Sequence, residues 1–328
     1  MITIGNTPLI KVDKIFAKLE CTNPCGSIKD RIAKYIIDKS EKKGILRKGM
    51  TIVEATSGNT GIALSYYGRE KGYKVTIVMP ENMTEERKQI IKDFSAELIL
   101  CSKKGSFAEA AAIRDKIAQS PGYFNPDQFS NPLNVECHYK TTGQEILKQM
   151  KKHSKKIDAF VAGVGTGGTL MGVGKALKEV FPDMKLVAVE PTESAVMSGG
   201  KHGEHKIAGI GDGFIPAIVK DEDDNNLNNL NSNKNNERIS KLIDEVICIS
   251  SKDAINAAKY LSTQYGYCVG VSSGANFLAA KKLAEKNKTV VTVFPDGWMK
   301  YESLGLKHCG NSSCKYEGNI IASLKKCG

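Results

Sequence analysis

From Gly44 onward the chain repeats one pattern, in which a short β-branched run ends in Gly, Pro, Ser or Asn and a helix-forming segment follows. Parallel strands need a crossover between them, so this alternation predicts βαβ units and an α/β fold. Strands are expected at Thr51 to Ala55, Lys74 to Met79 and Glu97 to Cys101, with helices starting at Gly61 and Glu85, and together they form one parallel sheet. The pattern resumes with a helix from Gly143 to Lys151, a strand at Ala159 to Val164, a helix from Leu170 to Val180 and a strand at Lys185 to Glu190. These make a second parallel sheet, and after a change of composition a strand at Glu245 to Ser250, a helix from Lys252 to Tyr265, the loop Gly270 to Ala275, another helix and a strand at Thr289 to Phe294 complete the globule. An earlier alternating run, Ile15 to Glu20, also reads as a strand. The segment from Tyr123 to Pro132, aromatic and rich in turn formers, reads as a crossover between the two sheets, of the kind that lines a cleft.

The length of 328 residues allows about two domains, and a hydrophobic fraction of 41% fits a globular chain. From Asp221 to Glu237 an acidic start gives way to asparagine at most positions, too polar to offset the entropy of ordering, so a solvated surface insertion is expected. No apolar run approaches the roughly 20 residues of a membrane span, and no signal-peptide core is visible near the start. Nine cysteines at irregular spacing argue for reduced thiols, and the expected location is cytoplasmic. The formal charge of +11 is spread along the chain, which argues against nucleic-acid binding.

Chemistry concentrates at strand-to-helix junctions. Asn23-Pro24-Cys25-Gly26-Ser27-Ile28-Lys29-Asp30-Arg31 is a turn running into a helix, with Ser27 placed to cap it and Lys29 in its first turn. Ile28, Ile32 and Ile36 make one helix face apolar, so Lys29 sits near an interior and beside a positive helix dipole. Both effects favour the neutral amine, a nucleophile toward carbonyl groups. Gly163-Val164-Gly165-Thr166-Gly167-Gly168-Thr169 brings backbone amides and hydroxyls to a helix N-terminus, where a phosphate is well bound. Ala55-Thr56-Ser57-Gly58-Asn59-Thr60-Gly61 offers small donors suited to a carboxylate. Val271-Ser272-Ser273-Gly274-Ala275 adds hydroxyls at a third helix start. One amine and two anion-ready loops at the mouths of parallel sheets suit a phosphate-bearing aldehyde and an amino acid.

These residues, with Gly209-Ile210-Gly211-Asp212-Gly213-Phe214-Ile215-Pro216, resemble the cysteine synthase and cystathionine β-synthase family from about Ile4 to Ser303. The resemblance implies the tryptophan-synthase-like, fold-type-II architecture, with two three-layer αβα domains and pyridoxal 5'-phosphate in the cleft between them. Residues 23–131 would form a smaller, mobile domain, and residues 1–22 and 132–328 a larger one. Lys29 would hold the cofactor as an internal aldimine and shuttle the Cα proton. Asn59 would meet the ring hydroxyl, Gly165, Thr166, Gly167, Gly168 and Thr169 the phosphate, and Ser273, or Ser272 if the register differs by one, the ring nitrogen. Thr56, Ser57, Thr60 and Gln128 would clamp the substrate carboxylate. The implied reaction is β-replacement through an aminoacrylate on O-acetylserine, serine or cysteine, with sulfide or a thiol as the other reactant. A homodimer is implied, and a serine acetyltransferase is a candidate partner.

Asp212 departs from the family pattern, which often has a small apolar residue or a tyrosine there. It is expected either to act near Cβ, shifting the enzyme toward sulfide release from cysteine or toward a cystathionine β-synthase-type reaction, or to be a solvated loop aspartate. Asp296 in Phe294-Pro295-Asp296-Gly297-Trp298 reads as part of a structural turn, and Cys25 as a small residue filling one. His308, Cys309, Cys314 and Cys327 match no strong zinc spacing, so no metal is expected. A catalytically weak binding or regulatory homologue is the reading of a different class, disfavoured because Lys29 and the carboxylate loop are both intact.

Overall fold

The computed structural model describes residues 3–56, 58–102, 107–153, 155–221, 239–285 and 288–310. In chain order the strands are β1 (Leu9–Val12), β2 (Ile15–Leu19), β3 (Thr51–Ala55), β4 (Lys74–Pro80), β5 (Glu97–Cys101), β6 (Tyr123–Phe124), β7 (Ala159–Gly163), β8 (Lys185–Pro191), β9 (Glu245–Ile249) and β10 (Val290–Phe294). The helices are α1 (Lys29–Lys42), α2 (Asn59–Glu70), α3 (Glu85–Asp93), α4 (Phe107–Ala118), α5 (Pro132–His138), α6 (Gln144–Lys151), α7 (Gly168–Lys178), α8 (Ser251–Tyr265) and α9 (Val271–Ala284). The asparagine-rich insertion, apart from Asp221, lies outside the described residues, as do Cys314 and Cys327.

Two sheets result. One has the order β5-β4-β3-β6 and is wholly parallel, and the other has the order β1-β2-β10-β7-β8-β9. The larger is parallel except for β1, which pairs antiparallel with β2 through the tight Asp13-Lys14 turn. The βαβ pattern therefore led to the correct class, α/β with parallel-type sheets. Tyr123 and Phe124 make a two-residue edge strand beside β3 rather than only a crossover, because the bond from Thr51 N–H to the Gly122 carbonyl draws that segment into the sheet.

The central strands carry apolar residues on both faces, as sheets covered by helices on both sides require. Val161, Val187, Val189 and Phe294 are fully buried in the larger unit, and Ile52, Val53, Ile77 and Met79 in the smaller. An ionic cluster ties the two together. Arg31, on α1, donates to both oxygens of Glu20 at 2.7 and 2.8 Å and to both oxygens of Glu145, on α6, at the same distances. Lys18 reaches Glu145 at 2.7 Å, and the Thr7 hydroxyl and Asn23 amide complete the shell of Glu20. Glu20 and Lys18 are fully buried, so these charges are desolvated and are stable only together. Burial raises the pKa of Glu145, but Arg31 and Lys18 outweigh it and hold the carboxyl down at about 2.

Arg31→Ala leaves Glu20 buried with its main countercharge gone. The expected loss in urea denaturation is about 3–5 kcal/mol. A loss below about 1 kcal/mol, as an exposed pair would show, contradicts a structural role for this cluster.

Candidate active site

The C-terminal ends of both sheets open onto one cavity, and the junction loops meet there. Lys29 begins α1, two residues ahead of the clamped Arg31. Its amide donates to the Ser27 hydroxyl at 3.2 Å, while the Asp30 carboxylate receives the amides of Cys25 and Ser27. The helix boundary falls at Ile28, so Ser27 supports the first turn from one residue further out than an N-cap. Cys25 is fully buried within this turn. Desolvation lowers the pKa of Lys29 to about 8, against a smaller opposing effect from the charge of Asp212. A larger share of this amine is therefore neutral near pH 7 than of an exposed lysine, the direction its helix position favours, and the neutral form predominates above about pH 8.

Thr56, Asn59, Thr60, Gln128, Gly165, Thr166, Gly167, Thr169 and Asp212 line the same cavity. Ser57 lies outside the described residues. Gly168 is turned away, and a Cβ there would come within 1.9 Å of Asn134 Oδ1. Gly167 adopts φ +85°, a left-handed conformation that lets the chain enter α7 and is costly for other residues. Of the two hydroxyls left open by the sequence, Ser272 lines the cavity, whereas Ser273 is fully buried and its Oγ has no hydrogen-bond partner.

Behind these residues stands a layer that sequence reading largely missed. Asp296 is buried, and its Oδ2 accepts from Asn59 Nδ2 at 2.8 Å and from the Tyr301 hydroxyl at 2.7 Å. It therefore orients a residue of the cavity, beyond the role of structural turn expected for it. Asn59 Oδ1, buried, is left without a partner. Asn134 donates to the Gln128 carbonyl at 2.9 Å and to the Thr166 hydroxyl at 3.0 Å, joining the carboxylate side to the glycine loop. His138 lies between Thr142 and Thr169, at 2.9 and 3.2 Å. Burial, together with Arg31 and Lys29, holds its pKa well below the usual value, so the ring is neutral. Gln128 accepts from the Thr60 hydroxyl at 2.6 Å and is backed by Glu54, which receives its amide. The contacts that join this layer to the cavity residues Asn59, Thr166, Thr169, Thr60 and the Gln128 amide link residues 31 to 237 positions apart, so no local motif shows them.

Asp212 is framed by Gly211 and Gly213, both at positive φ, and a Cβ on Gly165 would lie 3.5 Å from its carboxylate. Desolvation raises its pKa, against the lowering effects of Lys29, His205 and His202. Asp212 is half-buried and lines the cavity. Phe107, Phe129 and Phe214 pack with ring centroids 4.7 to 6.0 Å apart, and Phe129 belongs to the cavity wall. Arg87, from α3, also reaches the wall, and its guanidinium lies over the Tyr301 ring at 4.7 Å. The arrangement provides a nucleophilic amine, an anion cradle at a helix start, a second cluster of small donors, and a carboxyl able to exchange a proton.

Residues 1–296 match the protein family described as pyridoxal-phosphate dependent enzyme. A cysteine synthase from Staphylococcus aureus (strain N315) is 42% identical over 316 residues, covering 92% of this chain and 94% of the relative. Among solved structures, a hydrogen sulfide-producing enzyme from Fusobacterium nucleatum has a TM-score of 0.80 at 41% identity, covering 95% of this chain and 87% of that one. A cysteine synthase from Entamoeba histolytica also has a TM-score of 0.80, at 37% identity, covering 99% of this chain and 93% of that one.

In cofactor-free protein, modification of Lys29 by an amine reagent, followed by peptide mapping, is expected to rise with pH to half its maximum at about 8. Reactivity requires the unprotonated amine, so a lowered pKa moves the rise to lower pH. Asp212→Asn removes a charge that favours the ammonium form and is expected to move it lower still. A Lys29 profile that tracks the exposed lysines contradicts the desolvated site.

Proposed function

Because the chain belongs to the pyridoxal-phosphate-dependent enzymes, and within them to the cysteine synthases and their relatives, we propose that it performs β-replacement on an L-amino acid. The substrates are O-acetylserine, serine or cysteine, and the reaction makes or exchanges L-cysteine and sulfide. The observation that carries this reading is the desolvated Lys29 amine in one cavity with the glycine loop and the donors Thr56, Asn59 and Thr60.

The residues present fit pyridoxal 5'-phosphate. The first-turn amides of α7, with the Thr166 and Thr169 hydroxyls, suit its phosphate, and the vacant acceptor Asn59 Oδ1, held by Asp296, suits its ring hydroxyl. Ser272, on the cavity wall, suits the ring nitrogen better than Ser273. Bound there, the cofactor supplies an electron sink that acidifies the substrate Cα–H and lets the β-substituent depart. Lys29 would hold the cofactor through Nζ, and the same amine would serve as the base that moves the substrate Cα proton. Thr56, Ser57, Thr60 and Gln128 hold the substrate carboxylate, with Glu54 fixing the backbone of Gln128. His138 keeps the Thr169 hydroxyl oriented without adding charge.

The domain division belongs to this proposal. Residues 23–131, which contain β3 to β6, act as the smaller unit, closing on residues 1–22 and 132–328. The Phe107, Phe129 and Phe214 cluster draws on both units at the mouth and would exclude water on closure. A homodimer and a serine acetyltransferase partner rest on family likeness, and a cytoplasmic location on the irregular spacing of the cysteines. Among the described residues no helix is long and apolar enough to cross a membrane.

One observation favours a second reading. Asp212 faces the cavity with a raised pKa, so its carboxyl can give a proton to a departing sulfur or take one from water or a thiol. Sulfide release from cysteine, or cystathionine β-synthase-type chemistry, would then dominate over cysteine synthesis.

Lys29→Ala is expected to abolish both sulfide release from cysteine and cysteine formation from O-acetylserine. Asp212→Ala is expected to slow sulfide release roughly 10²–10⁴-fold, the scale of general acid–base catalysis, while largely sparing O-acetylserine turnover. Unchanged sulfide release in Asp212→Ala removes the second reading. A wild-type protein that turns over none of the three amino acids removes the first and supports a binding or regulatory homologue.

A further inference from the structure

The turn between α8 and α9 meets the chain again beyond β10, where Val269 bridges to Gly297. There the ligand atoms of Cys268, His308 and Cys309 lie within 4.8 Å of one another. Cys268 is buried and the other two are half-buried, at a cleft of about 280 Å³ that also includes Trp298. The sulfurs of Cys268 and Cys309 are not joined in a disulfide. We propose that Cys268, His308 and Cys309 form a binding site for a thiophilic cation such as Zn²⁺, separate from the active cavity.

Two thiolates and an imidazole suit zinc or cobalt, and disfavour the oxygen-seeking magnesium and calcium. Among the described residues three donors form most of a tetrahedron and leave its fourth position open. The surroundings of the buried sulfur point the same way. The amide of Cys309 donates to Cys268 Sγ at 3.1 Å, and the Ser262 hydroxyl lies 3.6 Å from the same atom. The donation from the Cys309 amide stabilises negative charge on sulfur, as a metal-bound thiolate requires. The Gly310 amide contacts His308 Nδ1 at 3.2 Å, and the Trp298 ring packs 6.0 Å from the imidazole. On binding, the two thiols lose their protons to solvent, and the metal takes both thiolates and the neutral imidazole.

The site has a structural consequence. The Cys268 carbonyl accepts from Trp298 N–H at 3.2 Å, Val269 bridges to Gly297, and Gly270 N–H donates to the Asp296 carbonyl at 2.9 Å. A metal would pin residues 308–309 to the turn that leads directly into Ser272 and flanks Asp296. Sequence spacing could not show this, because Cys268 lies forty positions from His308.

The test uses the full chain, loaded with Zn²⁺ and passed through a desalting column, with zinc measured per chain and affinity found by chelator competition. One zinc per chain is expected, and Co²⁺ in its place is expected to give a thiolate-to-metal charge-transfer band. Cys309→Ser and His308→Ala are each expected to weaken zinc binding by more than the roughly 10–100-fold typical of losing a supporting contact. Zinc should also raise the unfolding temperature of wild type but not of Cys309→Ser, whose metal-free stability should match that of metal-free wild type. The proposal is overturned if wild type retains no zinc, or if both variants bind it as wild type does. It is equally overturned if Cys314→Ser abolishes binding while Cys309→Ser does not, or if peptide mapping finds a Cys268–Cys309 disulfide in place of bound metal.

Discussion

Everything in the cavity depends on keeping one amine out of water. A lysine ammonium buried without a countercharge is costly, and here the cost is met by lowering the pKa of Lys29 to about 8 rather than by building a close ion pair. That solution requires a rigid backbone, because a mobile helix start would let Nζ swing back into solvent. Rigidity comes from Arg31, two residues on, held on four hydrogen bonds by Glu20 and Glu145. The structural cation and the chemical one share a single helical turn. The first is saturated with carboxylates, and the second is left with only the more distant Asp212.

The same economy applies to the polar groups that face the cavity. Three of them are held by a buried partner that does not itself line the cavity, with Asp296 behind Asn59, His138 behind Thr169 and Glu54 behind Gln128. Such partners fix rotamers before any ligand arrives, so less ordering remains to be done on binding. Asn134 joins the two halves of the site by donating to both Gln128 and Thr166. Movement of the carboxylate side is thereby felt at the glycine loop.

Much of the fold and the chemical front of the site could be read from residue order. Strand β3 runs from Thr51 to Ala55 and β5 from Glu97 to Cys101, as their β-branched runs predict, because parallel strands between helices leave little freedom at either end. The amine and its loops were legible because strand–Gly-turn–helix junctions are local and their chemistry is contiguous. What could not be read depends on contacts between distant segments. Strand β6 exists through pairing with β3, and the roles of Asp296, Asn134 and His138 arise from partners 31 to 237 residues away. The choice between Ser272 and Ser273 depends on the phase of a helix start, which sequence leaves uncertain by one residue. Cys268 joins His308 and Cys309 only through the return of the chain past β10.

The most direct test of the account concerns the covalent anchor. Holoprotein loaded with pyridoxal 5'-phosphate is reduced with borohydride, digested and analysed by mass spectrometry. The account predicts a phosphopyridoxyl group on the peptide containing Lys29, and its loss in Lys29→Ala. The same group on a different lysine, or no modified peptide from fully loaded protein, would contradict it.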